Sequence, residues 1–190
     1  MKISSAKISF SALVLVLAGT LQVGCGRDTS ASSAGIEAGP LRVSARGIAP
    51  YREAGADNSI EEYGHEASSA ELKQAARAVH AYLVARVERD WVAACALSSP
   101  YLRHHIKVVY EFTHPGKPRS CAEMFRALAP GEPPIADTTR KSTEVDADSL
   151  RVEGTTGFLF FDGDIEGRKL IMVRVGARWK PAGLLPTPLH

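Results

Sequence analysis

The apolar residues of this chain change their period once, near Pro134, and that change restricts the fold more than any other feature. Before it, Leu72, Ala75, Ala76, Val79, Tyr82, Leu83, Arg86 and Val87 recur at spacings of three and four, the stripe of a helix with one buried face. Ser68-Ser-Ala-Glu71 opens that helix as a capping box, in which serine and glutamate satisfy amide groups that the first turn leaves free. Asp90 reads as the N-cap of a second helix, Trp91 to Leu97, and Ser99-Pro100 as the start of a third that reaches about Tyr110. A second capping box, Ser120-Cys-Ala-Glu123, predicts a short helix through Met124, Phe125 and Leu128 that Pro130-Gly131 stops. After Pro134 come Ser142–Val145, Ser149–Glu153, Thr156–Phe161, Lys169–Val175 and Arg178–Leu184, short runs rich in Val, Ile, Phe and Thr. They predict consecutive antiparallel strands joined by hairpins. Leu170, Met172 and Arg174 alternate with Ile171, Val173 and Val175, as in a sheet with one dry and one partly wet face. Helices first and a meander afterwards give an α+β domain, with the N-terminal helices packed across one face of a curved antiparallel sheet.

Ahead of the domain the chain carries an address. Lys2 and Lys7 precede an apolar stretch centred on Phe10 to Ala18, the layout of a secretory signal peptide over residues 1–24. The stretch is short, and serine, threonine and glutamine dilute it, whereas a spanning helix needs about 20 apolar residues. Val23-Gly24-Cys25 resembles a bacterial lipobox. The resemblance implies a diacylglyceryl group on Cys25, cleavage just before it, and a protein held to the extracytoplasmic side of a membrane; without the lipid it would be secreted. Several buried acyl chains hold a protein firmly where one alone is marginal.

Charge and cysteine content agree with export. The chain has 23 basic and 21 acidic residues, and removing Lys2 and Lys7 leaves 21 of each, so no electrostatic drive toward nucleic acid remains. Of three cysteines, Cys25 belongs to the lipid reading, which leaves Cys95 and Cys121. Two cysteines in an exported domain usually bond, and closing that loop would contribute about 3–4 kcal/mol; in a reduced compartment the same pair would be free buried thiols. No Cys-x-x-Cys occurs, so neither a thioredoxin-type motif nor a zinc ribbon is expected, and no metal or cofactor is called for. Residues 25–66 hold the lipid site and then Ser, Gly, Ala, Pro and scattered charges without a lasting period, which predicts a flexible tether. Tyr51, Ile60 and Tyr63 are the side chains by which part of it could dock on the domain, residues 67–188.

The run Ala78 to Pro100, the later Ser120-Cys-Ala-Glu-Met-Phe-Arg-Ala-Leu128 and the closing Ala177-Arg-Trp-Lys180 resemble exported bacterial domains of the nuclear-transport-factor-2-like superfamily, which includes ketosteroid-isomerase-like and SnoaL-like proteins. The resemblance covers about residues 69–185. It implies a cone in which a bent sheet wraps a long helix around an apolar pocket, and a helix-to-helix disulfide between Cys95 and Cys121. Some members are enzymes, and others only bind small molecules or proteins.

Catalysis in such a cone would need a base and an acid converging in the pocket. Tyr82 is the candidate acid, with Asp90, His80, His104 or His105 as bases. Each has a plainer reading: Tyr82 as a packed core aromatic, Asp90 as a helix cap, His80 as a boundary residue. His104 and His105 point about 100° apart on one helix and cannot share a metal from it. Asp162-Gly-Asp-Ile-Glu-Gly167 echoes a calcium loop, yet the twelfth position is Val173 and the flanks are strands, so a solvated hairpin turn fits better. Arg103, Lys107, Lys117 and Arg119, with three histidines against Glu111, form a locally basic stretch. It could touch lipid headgroups or an acidic partner, or be a solvated helix face. The reading that results is a membrane-anchored envelope lipoprotein whose non-catalytic cone binds a small apolar ligand or an envelope protein. The alternative is a pocket enzyme of isomerase or dehydratase type using Tyr82 with a histidine or aspartate.

Overall fold

The computed structural model describes residues 37–117, 119–129, 136–163 and 167–183, with side chains left out of account at 136–139. The signal peptide, Cys25, Pro130-Gly131 and residues beyond 183 lie outside the described residues. In chain order the elements are β1 (Leu41–Val43), a 3-10 turn (Ala49–Tyr51), β2 (His65–Glu66), α1 (Ser69–Val87), α2 (Trp91–Leu97), α3 (Pro100–Thr113), α4 (Cys121–Leu128), α5 (Ala136–Thr143), β3 (Val145–Glu153), β4 (Thr156–Asp162), β5 (Arg168–Val175) and β6 (Arg178–Pro181). The result is a mixed helix-and-sheet fold with a curved sheet.

The helix starts are set by local chemistry. Ser68 and Ser120 each accept from the backbone N–H of Glu71 and Glu123, whose carboxylates accept in return from the capping backbone, so both boxes form. Asp90 caps α2 by accepting from Ala93 N–H at 2.9 Å, and Ser99 caps α3 with Pro100 in its first turn. Helix α3 continues to Thr113, three residues beyond the expected Tyr110. The disulfide joins Cys95 on α2 to Cys121 at the start of α4, with Cα atoms 6.0 Å apart.

The strands run in the order β1-β3-β4-β5-β6, and β2 shares the β1 side of β3. From β3 to β6 every neighbour is antiparallel, the expected meander. Along one face Leu150, Leu159, Phe161, Leu170, Met172 and Trp179 are all buried against the helices. Helix α1 crosses this face, touching β1, β3, β4 and β6, and Ala75 and Ala76 keep its side chains short at the crossing.

Three expectations need correction. In the tether that the sequence predicts over residues 25–66, the described part, 37–66, is packed onto the sheet. Leu41–Val43 pairs with Val145–Ala147, and His65–Glu66 pairs with Val152 and Arg151. Its order comes from backbone pairing along β3 and from single side chains, neither of which produces a hydrophobic period. Second, β1 lies parallel to β3, so the sheet is mixed rather than wholly antiparallel. Third, Ser142–Val145 and Ser149–Glu153 are not two strands: Thr143 ends α5, and Val145–Glu153 is one strand with a register shift between Ala147 and Ser149. Thr143 is buried, and its hydroxyl accepts from Gly39 N–H at 2.6 Å, so the β-branched residue that suggested a strand instead fixes the incoming segment. At Gly39 any side chain would strike the Arg140 carbonyl at 2.1 Å, so only glycine permits this approach.

Candidate functional site

The register shift in β3 sits within a network of polar side chains. Ala147 faces Phe161 and Ser149 faces Phe160, so Asp148 is the extra residue of a bulge. Bulges re-aim side chains, and here Asp148 and Ser149 both serve the face away from the helices. Asp148 accepts from Tyr51 Oη at 2.6 Å and from Arg46 Nε and a terminal nitrogen at 2.7 Å each. The same guanidinium donates to Asp162, whose other oxygen accepts from Gly167 N–H at 2.8 Å. Tyr51 sits edge-on against Phe160 with ring centroids 5.2 Å apart, and Tyr63 does the same to Phe158 at 4.9 Å. Ser149 Oγ donates to Glu66, Arg151 donates to the Tyr63 and Gly64 carbonyls, and Glu61 is buried in an ion pair with Lys169. The segment from Arg46 to Glu66 is therefore held to the outer face of the sheet by buried aromatics and charge pairs together.

The electrostatics follow from the contacts. Burial pushes the Asp148 carboxyl up, but hydrogen bonds from Arg46 and Tyr51 and the guanidinium charge outweigh it and hold the group below the usual carboxylate range. Burial, then the bond to Asp148, pushes the Tyr51 phenol well above its ordinary value, so it stays a proton donor in that bond. The bond to Asp148 is also the main reason that Arg46 binds its proton more tightly. A cleft of about 300 Å³ opens beside this network, lined by Arg46, Pro50, Tyr51, Asp162 and Gly167. Asp148 accepts from both Arg46 and Tyr51, with Tyr51 held as the proton donor, so the network clamps residues 46–51 to β3. A second cleft, of about 360 Å³, lies at the start of α1 between Glu71, Gln74 and Arg174. There Arg174 pairs with Glu71 and stacks 4.6 Å from the Trp179 ring centroid.

The residues singled out from the sequence do not come together. Tyr82 is wholly buried, packed edge-on to Phe125, with the Arg86 guanidinium 5.7 Å from its ring centroid. Burial pushes its phenol up, and its hydroxyl, near Arg86 and Ser98, makes no hydrogen bond of normal geometry. His80 donates from Nε2 to the Gly39 carbonyl at 2.8 Å, fixing the incoming segment, and Asp90 is committed to its cap. His104 and His105 are exposed on α3. No hydrogen bond joins any two of these five. Among the described residues there is no group of three or more His, Cys, Asp and Glu side chains placed to hold a metal.

Sequence reasoning missed the Arg46–Tyr51–Asp148–Asp162 cluster because it spans a segment without periodicity and a bulge that alternation does not reveal. A signal was present in Asp146-Ala-Asp148, acids on alternate positions ahead of an apolar strand, and in Tyr51 as an isolated aromatic. Compared with known proteins, the chain matches no family model, no curated sequence and no solved structure.

Proposed function

We propose that the chain is a lipid-anchored protein of a bacterial cell envelope whose α+β domain works by holding a partner protein rather than by catalysis. The observation that carries this reading is the Cys95–Cys121 disulfide. A disulfide suits an oxidising compartment outside the cytosol, and the pairing leaves Cys25 as the one remaining cysteine, at the position where the lipobox resemblance puts the acyl chains. The cone of the nuclear-transport-factor-2-like superfamily is the finer fold assignment in keeping with α1 lying across a curved sheet. Between the two binding modes, the partner protein is favoured over a small apolar ligand. Tyr82, Phe125, Leu159 and Phe161 are all buried in one core, and each of the two described clefts lies at the surface with an arginine–carboxylate pair in its lining.

The test is the intact mass and thiol count of the protein recovered from membranes of a producing bacterium. The expected product begins at Cys25, carries acyl mass and has no titratable thiol until it is reduced. Cys25→Ala should lose both the acyl mass and the membrane association. Recovery of the unprocessed chain in the cytoplasm with three titratable thiols would refute the reading.

A further inference from the structure

Helix α3 buries Leu102, Ile106 and Tyr110 and turns the opposite face to solvent. On that face Tyr101, Val108 and Phe112 are 64%, 49% and 88% exposed, and spacings of seven and four place all three on one stripe with His105 between them. An aromatic residue at each end of an exposed helical stripe needs a reason, since large apolar side chains gathered on one face mark a contact surface. The surroundings give the sign of what it meets. Residues 99–129 carry five basic side chains against two acidic ones, on a chain that is neutral once Lys2 and Lys7 are removed. Lys107 lies 3.6 Å from Glu111 and Arg119 lies 3.2 Å from Glu123, but both pairs are exposed, and exposed pairs hold too weakly to keep a cation from a phosphate.

The position of the domain gives the second argument. Because the described chain is docked on the sheet soon after residue 37, only twelve residue steps separate Cys25 from Glu37, and even fully extended they span at most about 43 Å. A domain of this size has a radius of gyration of about 15 Å, so an anchored domain cannot leave the neighbourhood of the bilayer. Contact with the bilayer then becomes an intramolecular event, for which a small amphipathic face suffices.

We propose that the exposed face of α3, with Tyr101, Val108 and Phe112 as apolar anchors and Lys107 on the same helix and Lys117 and Arg119 in the loop that follows it, rests on the anionic surface of the same membrane that holds the lipid. This rests on the anchored reading above. Aromatic side chains settle at the headgroup level, and basic ones beside them are drawn to anionic lipid.

The experiment uses the acylated full-length product carrying Phe112→Trp, reconstituted through its own anchor into vesicles of brominated phosphatidylcholine with or without phosphatidylglycerol. Trp91 and Trp179 are both buried, so the new indole is the exposed reporter. Its emission should be quenched strongly in the phosphatidylglycerol vesicles, less in pure phosphatidylcholine, and not in the parent protein. Adding Lys107→Glu and Lys117→Glu should cut the quenching at least about fivefold, the effect of roughly one lost lipid contact per charge. A chain that floats with both vesicles yet shows no quenching overturns the docking while leaving the anchor intact. One that floats with neither overturns the anchor, and the docking with it. Shielding of the indole that follows protein density rather than lipid charge marks a second copy or a protein partner on this face and also overturns the proposal.

Discussion

The two faces of the sheet are held in different ways. Toward the helices, Leu150, Leu159, Phe161, Leu170 and Met172 join the buried side chains of the helices in one apolar cluster. Toward the segment 46–66, Phe160 is just as buried, but its neighbours are Tyr51, the Asp148–Arg46 pair and, farther along, the buried Glu61–Lys169 pair. The first face follows from burial alone, which is non-directional and tolerant of exchange among apolar residues. The second depends on directed hydrogen bonds, so each member fails sharply if its partner is removed.

Neighbouring phenylalanines test the comparison most directly, since Phe160 and Phe161 point to opposite faces and neither is exposed. Phe161→Ala should cost about 4 kcal/mol by urea unfolding, the usual price of a large core truncation. Phe160→Ala should cost nearly as much, about 3 kcal/mol, and should in addition expose residues 46–63 to limited proteolysis. A loss below about 1 kcal/mol at Phe160 would mean that the outer layer contributes little to the fold.

The same contrast explains what the sequence revealed. The helix side was legible because each step has a local signature: capping boxes at Ser68/Glu71 and Ser120/Glu123, Asp90 and Ser99-Pro100 as starts, and a 3.6-residue stripe through Leu72, Val79 and Leu83. The meander was legible in outline because β4 carries a run of Phe and Leu, and because the buried Leu170 and Met172 alternate with the more open Ile171 and Val173 in β5. The outer layer was not. Its strands are three and two residues long, its aromatics are isolated, and its docking depends on a one-residue bulge at Asp148 that shifts every later side chain relative to the pattern. Of the candidate site residues, Asp90 was readable as a cap and Tyr82 as a core aromatic. The role of His80, bonding the Gly39 carbonyl, depended on a segment whose docking no periodicity announced.

Glycines mark where the outer segment comes closest to the sheet. Gly64 has φ of +48°, and a side chain there would meet the Val152 carbonyl at 2.1 Å. Gly64→Ala combines a disfavoured backbone conformation with a clash, and should cost about 2 kcal/mol in thermal or urea unfolding. Because β2 follows at once, faster amide exchange should appear at Glu66 and Ala67 before it appears in α1. Equal acceleration of both would show that the segment and the helices unfold as one unit, and would erase the distinction between the layers.

The smallest effect is expected from acid. Asp148 is held below the usual carboxylate range, so its contribution is present above the ordinary carboxylate pKa and is lost as pH falls through its own lowered value. Tyr51 has the opposite sign: pushed up, it contributes below the ordinary tyrosine value and is lost only when pH climbs through its raised one, so it adds no slope at neutral or acid pH. On the helix side Glu71 and Glu123 are also lowered, chiefly by the hydroxyl and backbone N–H of Ser68 and Ser120, and they produce an acid slope shared by every variant. The part owed to the outer layer is therefore a difference. Asp148→Asn should melt below the parent protein at pH 7, and the gap should close by a few degrees on acidification, because the parent then loses the charge that the variant already lacks. A gap that stays constant down to strong acid would mean that Asp148 acts only as a hydrogen-bonding shape, and that the two faces of the sheet differ less in kind than their side chains imply.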